Sequence, residues 1–268
     1  MLMAHYKPGE SPPRKPGGII LLTGMEKVGK TWFAVNSWDV SPRMFFANFD
    51  RSASHLIKQY EGKGGVEYEE FTALTKQQAQ GELARLDALK ALAMSAGSGV
   101  FLLDNGAAWW DLIKIAKNPD NTGKPIPREF AEANTYARDF MLTLERSGLW
   151  VILTSPPREL WTGSRTSTGL FKQAGWGHTD FHIMAEIWLY TNRPVGAKPQ
   201  PVGSGTVVGD MELPIDPQYN ADGVLQKGYP QLEFKAQIQI AAKRMSLNGM
   251  IMKDPTLAKM LRAMKEIE

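Results

Sequence analysis

The stretch Gly24-Met25-Glu26-Lys27-Val28-Gly29-Lys30-Thr31 has the spacing G-x-x-x-x-G-K-T. Two glycines, a lysine and a hydroxyl at those intervals suit a chain of phosphates. Successive backbone N–H groups must curl around an anion, and glycine permits the close approach and unusual dihedrals this takes. Lys30 would reach the terminal phosphates of a nucleoside triphosphate, and the Thr31 hydroxyl would reach Mg²⁺. The expected nucleotide contacts run through Gly24, Met25, Glu26, Lys27, Val28, Gly29, Lys30 and Thr31 to Trp32.

A magnesium ion held there calls for an acid on a neighbouring strand. Asp104 ends the run "GVFLLDN" after four apolar residues, the Walker B pattern. Asn105 follows where many motor ATPases carry glutamate, so a base has to come from elsewhere. Asp50, closing "MFFANFD", is the candidate. Its strand comes directly after the helix that follows the glycine loop, so its C-terminal end should face the same crevice. A carboxylate there would orient the attacking water; a solvated strand-end acid is the plainer alternative. Thr154 and Ser155 end a further strand, and Ser155 is the candidate for touching the γ-phosphate.

These residues need a scaffold, and the sequence pattern supplies one. "GIILLTG" reads as a buried strand and "KTWFAVNSW" as the start of a helix. "RMFFANFD" is a second strand, followed by a charged, glycine-containing connection. A helix is expected over 76–95, a third strand at "GVFLLDN", a helix over 129–147 and a fourth strand at "LWVILTS". "FHIMAEIWLY" and "LEFKAQIQIAAKR" read as later strands. Between them, residues 192–230 are rich in Gly and Pro and read as a hairpin or insertion, and residues 254–268 close the chain as an amphipathic helix. Residues 1–17 read as a mobile basic arm, leaving a single domain over 18–268. Strands alternating with helices predict an α/β fold around a mostly parallel sheet.

Composition narrows the setting. The chain has 268 residues and is 43% hydrophobic, so it can bury a full core. Its formal charge of +3 does not by itself demand a nucleic acid. It has no cysteine, which excludes disulfides and thiolate-bound zinc. No apolar run reaches membrane-spanning length and the N-terminus has no apolar signal core. A cytoplasmic protein without membrane contact is therefore expected.

Taken together, "GMEKVGKT", "FFANFD", "VFLLDN", "WVILTSPPREL" and the later "AAKR" and "NGMIMKDPTLAKML" resemble the RecA-like ATPases. The likeness is to the small phage-encoded RecA-core proteins of the Sak type, over roughly residues 17–265. The resemblance implies a RecA-like core with a later β-rich extension and Mg²⁺-dependent ATP hydrolysis. It implies action on single-stranded DNA in recombination or annealing, beside other phage recombination or replication proteins in a host cytoplasm. It implies catalytic roles for Lys30, Asp50 and Asp104, and a ring or filament of identical chains. A late-strand cation, Lys243 or Arg244, would then reach the nucleotide of a neighbouring subunit. Two places depart from the family pattern: "LLDN" stands for the usual Asp-Ser, and "TSPP" for a Gln or His sensor.

Two segments are suited to a nucleic acid on their own chemistry. Residues 113–128, read as a loop, carry Lys114, Lys117, Lys124 and Arg128. Residues 156–178, also read as a loop, carry Arg158, Arg165 and Lys172 among Trp161, Phe171 and Trp176. Cations track phosphates and aromatic rings stack bases of a single strand. Lys117, Lys124, Arg158, Trp161, Arg165 and Lys172 are the candidate DNA contacts; tryptophans packed in the core are the alternative. A nucleotide or small-molecule kinase and a non-catalytic, nucleotide-switched adaptor remain open beside the DNA-linked ATPase.

Overall fold

The computed structural model describes residues 17–24, 29–41, 43–49, 53–60, 65–73, 75–117, 130–161, 167–191, 200–201, 234–241, 251–253 and 255–263. In chain order these form β1 (Gly18–Thr23), α1 (Lys30–Val35), β2 (Met44–Asn48), α2 (Ser54–Ile57), β3 (Val66–Glu70) and α3 (Lys76–Ala96). Next come β4 (Val100–Asp104), α4 (Gly106–Lys117), α5 (Ala131–Glu145), β5 (Trp150–Ser155), β6 (Pro157–Trp161) and β7 (Ser167–Gln173). The chain continues through β8 (Ile183–Thr191), β9 (Gln200–Pro201), β10 (Phe234–Ala241), β11 (Ile251–Lys253) and α6 (Leu257–Ala263).

The main sheet runs β11-β10-β8-β1-β5-β4-β2-β3. From β8 to β3 every pairing is parallel, whereas β8–β10 and β10–β11 are antiparallel. The architecture is thus α/β, with a mostly parallel sheet flanked by helices and antiparallel strands towards the C-terminus. The reason lies in the strand composition. A parallel sheet is covered on both faces, so its strands are apolar throughout rather than alternating. In β1, Ile19 and Leu21 enter a core with residues of α3, α4 and α5. Ile20 and Leu22 enter a second core with Phe33, Ala34 and Val35 of α1 and with Leu257, Met260 and Leu261 of α6. Both cores exclude water; Ile19, Ile20, Leu21 and Leu22 have no exposed area.

Local signals set the ends of α3, the longest helix among the described residues. Thr75 accepts from the Gln78 N–H at 3.2 Å, and the Gln78 side chain accepts from the Thr75 N–H at 3.1 Å, a complete capping box. Gly97 ends the helix with φ 70°, a left-handed turn that a Cβ would strain.

Three departures from the sequence reading have physical causes. The charged connection after Asp50 contains β3, whose "VEYEE" puts acids on an edge strand, where charge discourages further pairing. Residues 113–117 are not a loop but the end of α4, which buries Ile113 and Ala116. Part of the stretch 156–178 pairs as the β6–β7 hairpin, and Leu170 and Phe171 of β7 also pair with β9. Apart from β9, the predicted 192–230 insertion lies outside the described residues, as does the N-terminal arm up to residue 16. Among the described residues no helix is long and apolar enough to cross a membrane.

Candidate nucleotide-binding site

Side-chain alternation decides which strand-end residues meet α1. Val100 and Leu102 of β4 lie in the α1-side core, so Asp104, two residues on, carries its side chain to that face. Ile152 does the same for Thr154 on β5. α1 begins at Lys30, and Gly29 precedes it at φ 90° and ψ 20°, a left-handed conformation that favours glycine. The Gly29 carbonyl accepts from the Phe33 N–H at 2.8 Å, which starts the helix.

The result is a compact polar cluster at the C-terminal edge of the parallel strands. The Thr31 hydroxyl donates to Asp104 Oδ2 at 2.6 Å, joining residues 73 positions apart. The Thr154 hydroxyl donates to Asp104 Oδ1. Asp104 is 2% exposed and Thr154 is fully buried. Lys30 Nζ donates to the Gly24 carbonyl at 2.6 Å, so the lysine reaches back to the residue that follows β1. Trp32, in the same first turn of α1, is 47% exposed. Met25, Glu26, Lys27 and Val28 lie outside the described residues.

The donor set fits magnesium. Thr31 and Asp104 supply two kinds of hard oxygen, a hydroxyl and a carboxylate, brought together by their own hydrogen bond. Magnesium is typically held by one or two such groups together with water and phosphate oxygens. Among the described residues no group of three acids or histidines gathers to hold a metal alone.

Other predicted positions fall as follows. Asp50 lies outside the described residues; its predecessor Phe49 donates its N–H to the Asp104 carbonyl at 2.5 Å. Asn105 uses its side-chain oxygen to accept the Ala108 N–H at 2.8 Å, capping α4. Ser155 alternates to the opposite face from Thr154, and its hydroxyl donates to the Ala174 carbonyl at 2.6 Å. The Ala174 N–H returns to the Pro156 carbonyl at 2.9 Å, so the open end of the β6–β7 hairpin is pinned to β5. Lys243 and Arg244 lie outside the described residues, as do Lys124 and Arg165.

The candidate nucleic-acid residues separate. Lys117 ends α4 with its ammonium 5.2 Å from the Tyr136 ring centre. Trp176 is 3% exposed and donates to Asn134 Oδ1 at 2.9 Å, so it is a core residue. Trp161 closes β6; its side chain lies outside the described set. Arg158 and Lys172 are direct partners across the β6–β7 hairpin. Like charges placed opposite each other on one face repel, and Asp180 close to Lys172 offsets part of that repulsion.

Sequence reasoning missed Glu186. It lies on β8 opposite Leu21 of β1, and thus on the face away from Asp104. It is 6% exposed, and the Trp188 indole donates to its Oε1 at 3.1 Å. Burial pushes its carboxyl up to about 7; the Trp188 bond opposes this and the nearby Asp180 adds to it. The folded state therefore holds a proton that the unfolded chain releases near 4.5. Stability from this group is complete below that value and is lost as pH rises to about 7, roughly 3 kcal/mol in all. Glu186→Gln is expected to melt higher than wild type at pH 8 and to converge with it at pH 5. Thermal melts over that range check this, and equal melting temperatures at pH 8 would contradict it. The only cue in the sequence was one acid inside an otherwise apolar strand.

No protein-family model and no curated protein matches this chain.

Proposed function

We propose that the chain is a RecA-like P-loop ATPase that binds Mg-ATP, hydrolyses it and acts on single-stranded DNA. The observation that carries the nucleotide reading is the 2.6 Å bond from Thr31 to Asp104. A glycine-loop threonine and a strand-end acid, far apart in sequence, share one hydrogen bond beside Lys30. That is the arrangement a magnesium-bound triphosphate requires.

Magnesium, when bound, neutralises charge on the phosphate oxygens. The residues of the chain do the rest. Lys30 leaves the Gly24 carbonyl for the β- and γ-phosphates. Thr31 and Asp104 hold the cation side of the site. Asp50 accepts the proton of a water whose oxygen bonds to the γ-phosphorus, as the bond from that phosphorus to the bridging oxygen breaks and ADP leaves. The RecA likeness adds a neighbour's Lys243 or Arg244 as a cation completing the site in an assembly of identical chains. The DNA reading rests on Arg158 and Lys172, paired across their hairpin, with the hairpin end tied through Ser155 to the strand that carries Thr154.

Phosphate release from ATP, measured with and without single-stranded DNA, tests the whole proposal. Turnover stimulated by DNA is the expected result. Turnover only with a small acceptor would point to a kinase. The capping role of Asn105 favours one further reading, a nucleotide-switched adaptor, because the position after Asp104 is then structural. Tight ATP binding without turnover would select it.

A further inference from the structure

The side-chain oxygen of Asn48 is a buried acceptor with no hydrogen-bond partner among the described residues. Asn48 ends β2 and is fully buried. Its orientation is not arbitrary. The Asn48 amide donates to the Tyr68 hydroxyl at 2.7 Å, and that hydroxyl donates to Glu70 Oε1 at 2.6 Å. A hydroxyl has one hydrogen to give, so Tyr68 must accept from Asn48. This fixes the nitrogen towards Tyr68 and leaves the oxygen as the unmatched group. Leaving such an acceptor unmet costs stability, so a partner that meets it is favoured.

Its neighbour is Asp104. The two are register partners across β2 and β4, in strands about 5 Å apart. Met44 and Phe46 of β2 lie in the α1-side core, so alternation brings Asn48 to the face that carries Asp104 and Thr154. Glu70, Asn48, Asp104 and Thr154 therefore form one transverse polar row over four adjacent strands, at the edge where α1 starts. Within it, Asp104 already receives the hydroxyls of Thr31 and Thr154.

We infer that Asn48 and Thr154 are positioning residues for a divalent cation at this site. The Asn48 oxygen would accept a hydrogen bond from a water on the cation, and Thr154 fixes the carboxylate of Asp104 that would hold the cation. The inference rests on the nucleotide reading above. Partners of this outer kind commonly change metal affinity 10–100-fold when removed.

The test is a magnesium titration of the full chain with a fluorescent ATP analogue. It compares wild type with Asn48→Leu, Asn48→Ser, Thr154→Val and Thr154→Ser. The half-saturating magnesium concentration is expected to rise about 10–100-fold in both Asn48 variants and in Thr154→Val. Binding of the analogue in chelator should not change, and Thr154→Ser, which keeps the hydroxyl, should behave as wild type. A merely structural role would weaken binding equally with and without magnesium. That result, or wild-type magnesium dependence in all the variants, overturns the inference. The second Asn48 variant keeps the test open if one fails to fold. A wild type that binds the analogue but does not respond to magnesium also overturns it, while leaving nucleotide binding intact. No binding by wild type under either condition removes the nucleotide reading and the inference together.

Discussion

Lys30→Ala is expected to lower ATP turnover roughly 10²–10³-fold, the usual effect of removing one group aimed at developing negative charge. In the described state the ammonium bonds the Gly24 carbonyl at 2.6 Å. Nucleotide would replace that carbonyl with phosphate oxygens, a stronger acceptor for a cation. Losing the bond to Gly24 costs the fold only about 1 kcal/mol, because the lysine is partly exposed and water can take its place. The variant should therefore fold and melt close to wild type while failing to turn over. Steady-state phosphate release beside a thermal melt separates the two effects. A variant as active as wild type would remove the glycine loop from the mechanism.

Asp104→Asn is expected to weaken magnesium-dependent ATP binding about 100-fold without lowering the melting temperature. The two effects have opposite origins. Asp104 is almost entirely buried, and an ionised acid there is costly to desolvate despite the hydroxyls of Thr31 and Thr154. An amide keeps the shape, removes the charge, and can still accept one of the two hydroxyl bonds. It loses the attraction for a cation that the carboxylate supplies. A site kept for function at a cost in stability should show this pattern, whereas a purely structural acid should not. Unchanged magnesium dependence in Asp104→Asn, with a lowered melting temperature, would mean that Asp104 serves the fold.

Much of this site was legible in the sequence because its parts are local patterns. The apolar run ending at Gly24, the spacing to Lys30 and Thr31, and the strand ending in Asp104 all appear within short windows. The parallel core was legible for the same reason, since strands buried on both faces are apolar at every position. What stayed hidden depends on register. Asn48 looked like one polar residue in "FFANFD" until the pairing of β2 with β4 set it beside Asp104. Ser155 stood out as the γ-phosphate contact of the pair until alternation sent Thr154 to Asp104 and Ser155 to the Ala174 carbonyl on the other face. β3 was missed because an edge strand needs fewer apolar residues than a central one, and "VEYEE" carries mostly acids. Arg158 and Lys172 were visible as charges, but not as partners facing each other across a hairpin.

The central claim is that this chain carries a magnesium-linked nucleotide site built on Lys30, Thr31 and Asp104. The most direct test is calorimetric titration of ATP into the full chain, in magnesium and again in chelator, with Lys30→Ala alongside. The account predicts saturable binding at about one site per chain, tightened by magnesium and strongly weakened in Lys30→Ala. Absence of saturable binding in magnesium, or equal affinity in wild type and Lys30→Ala, would contradict it.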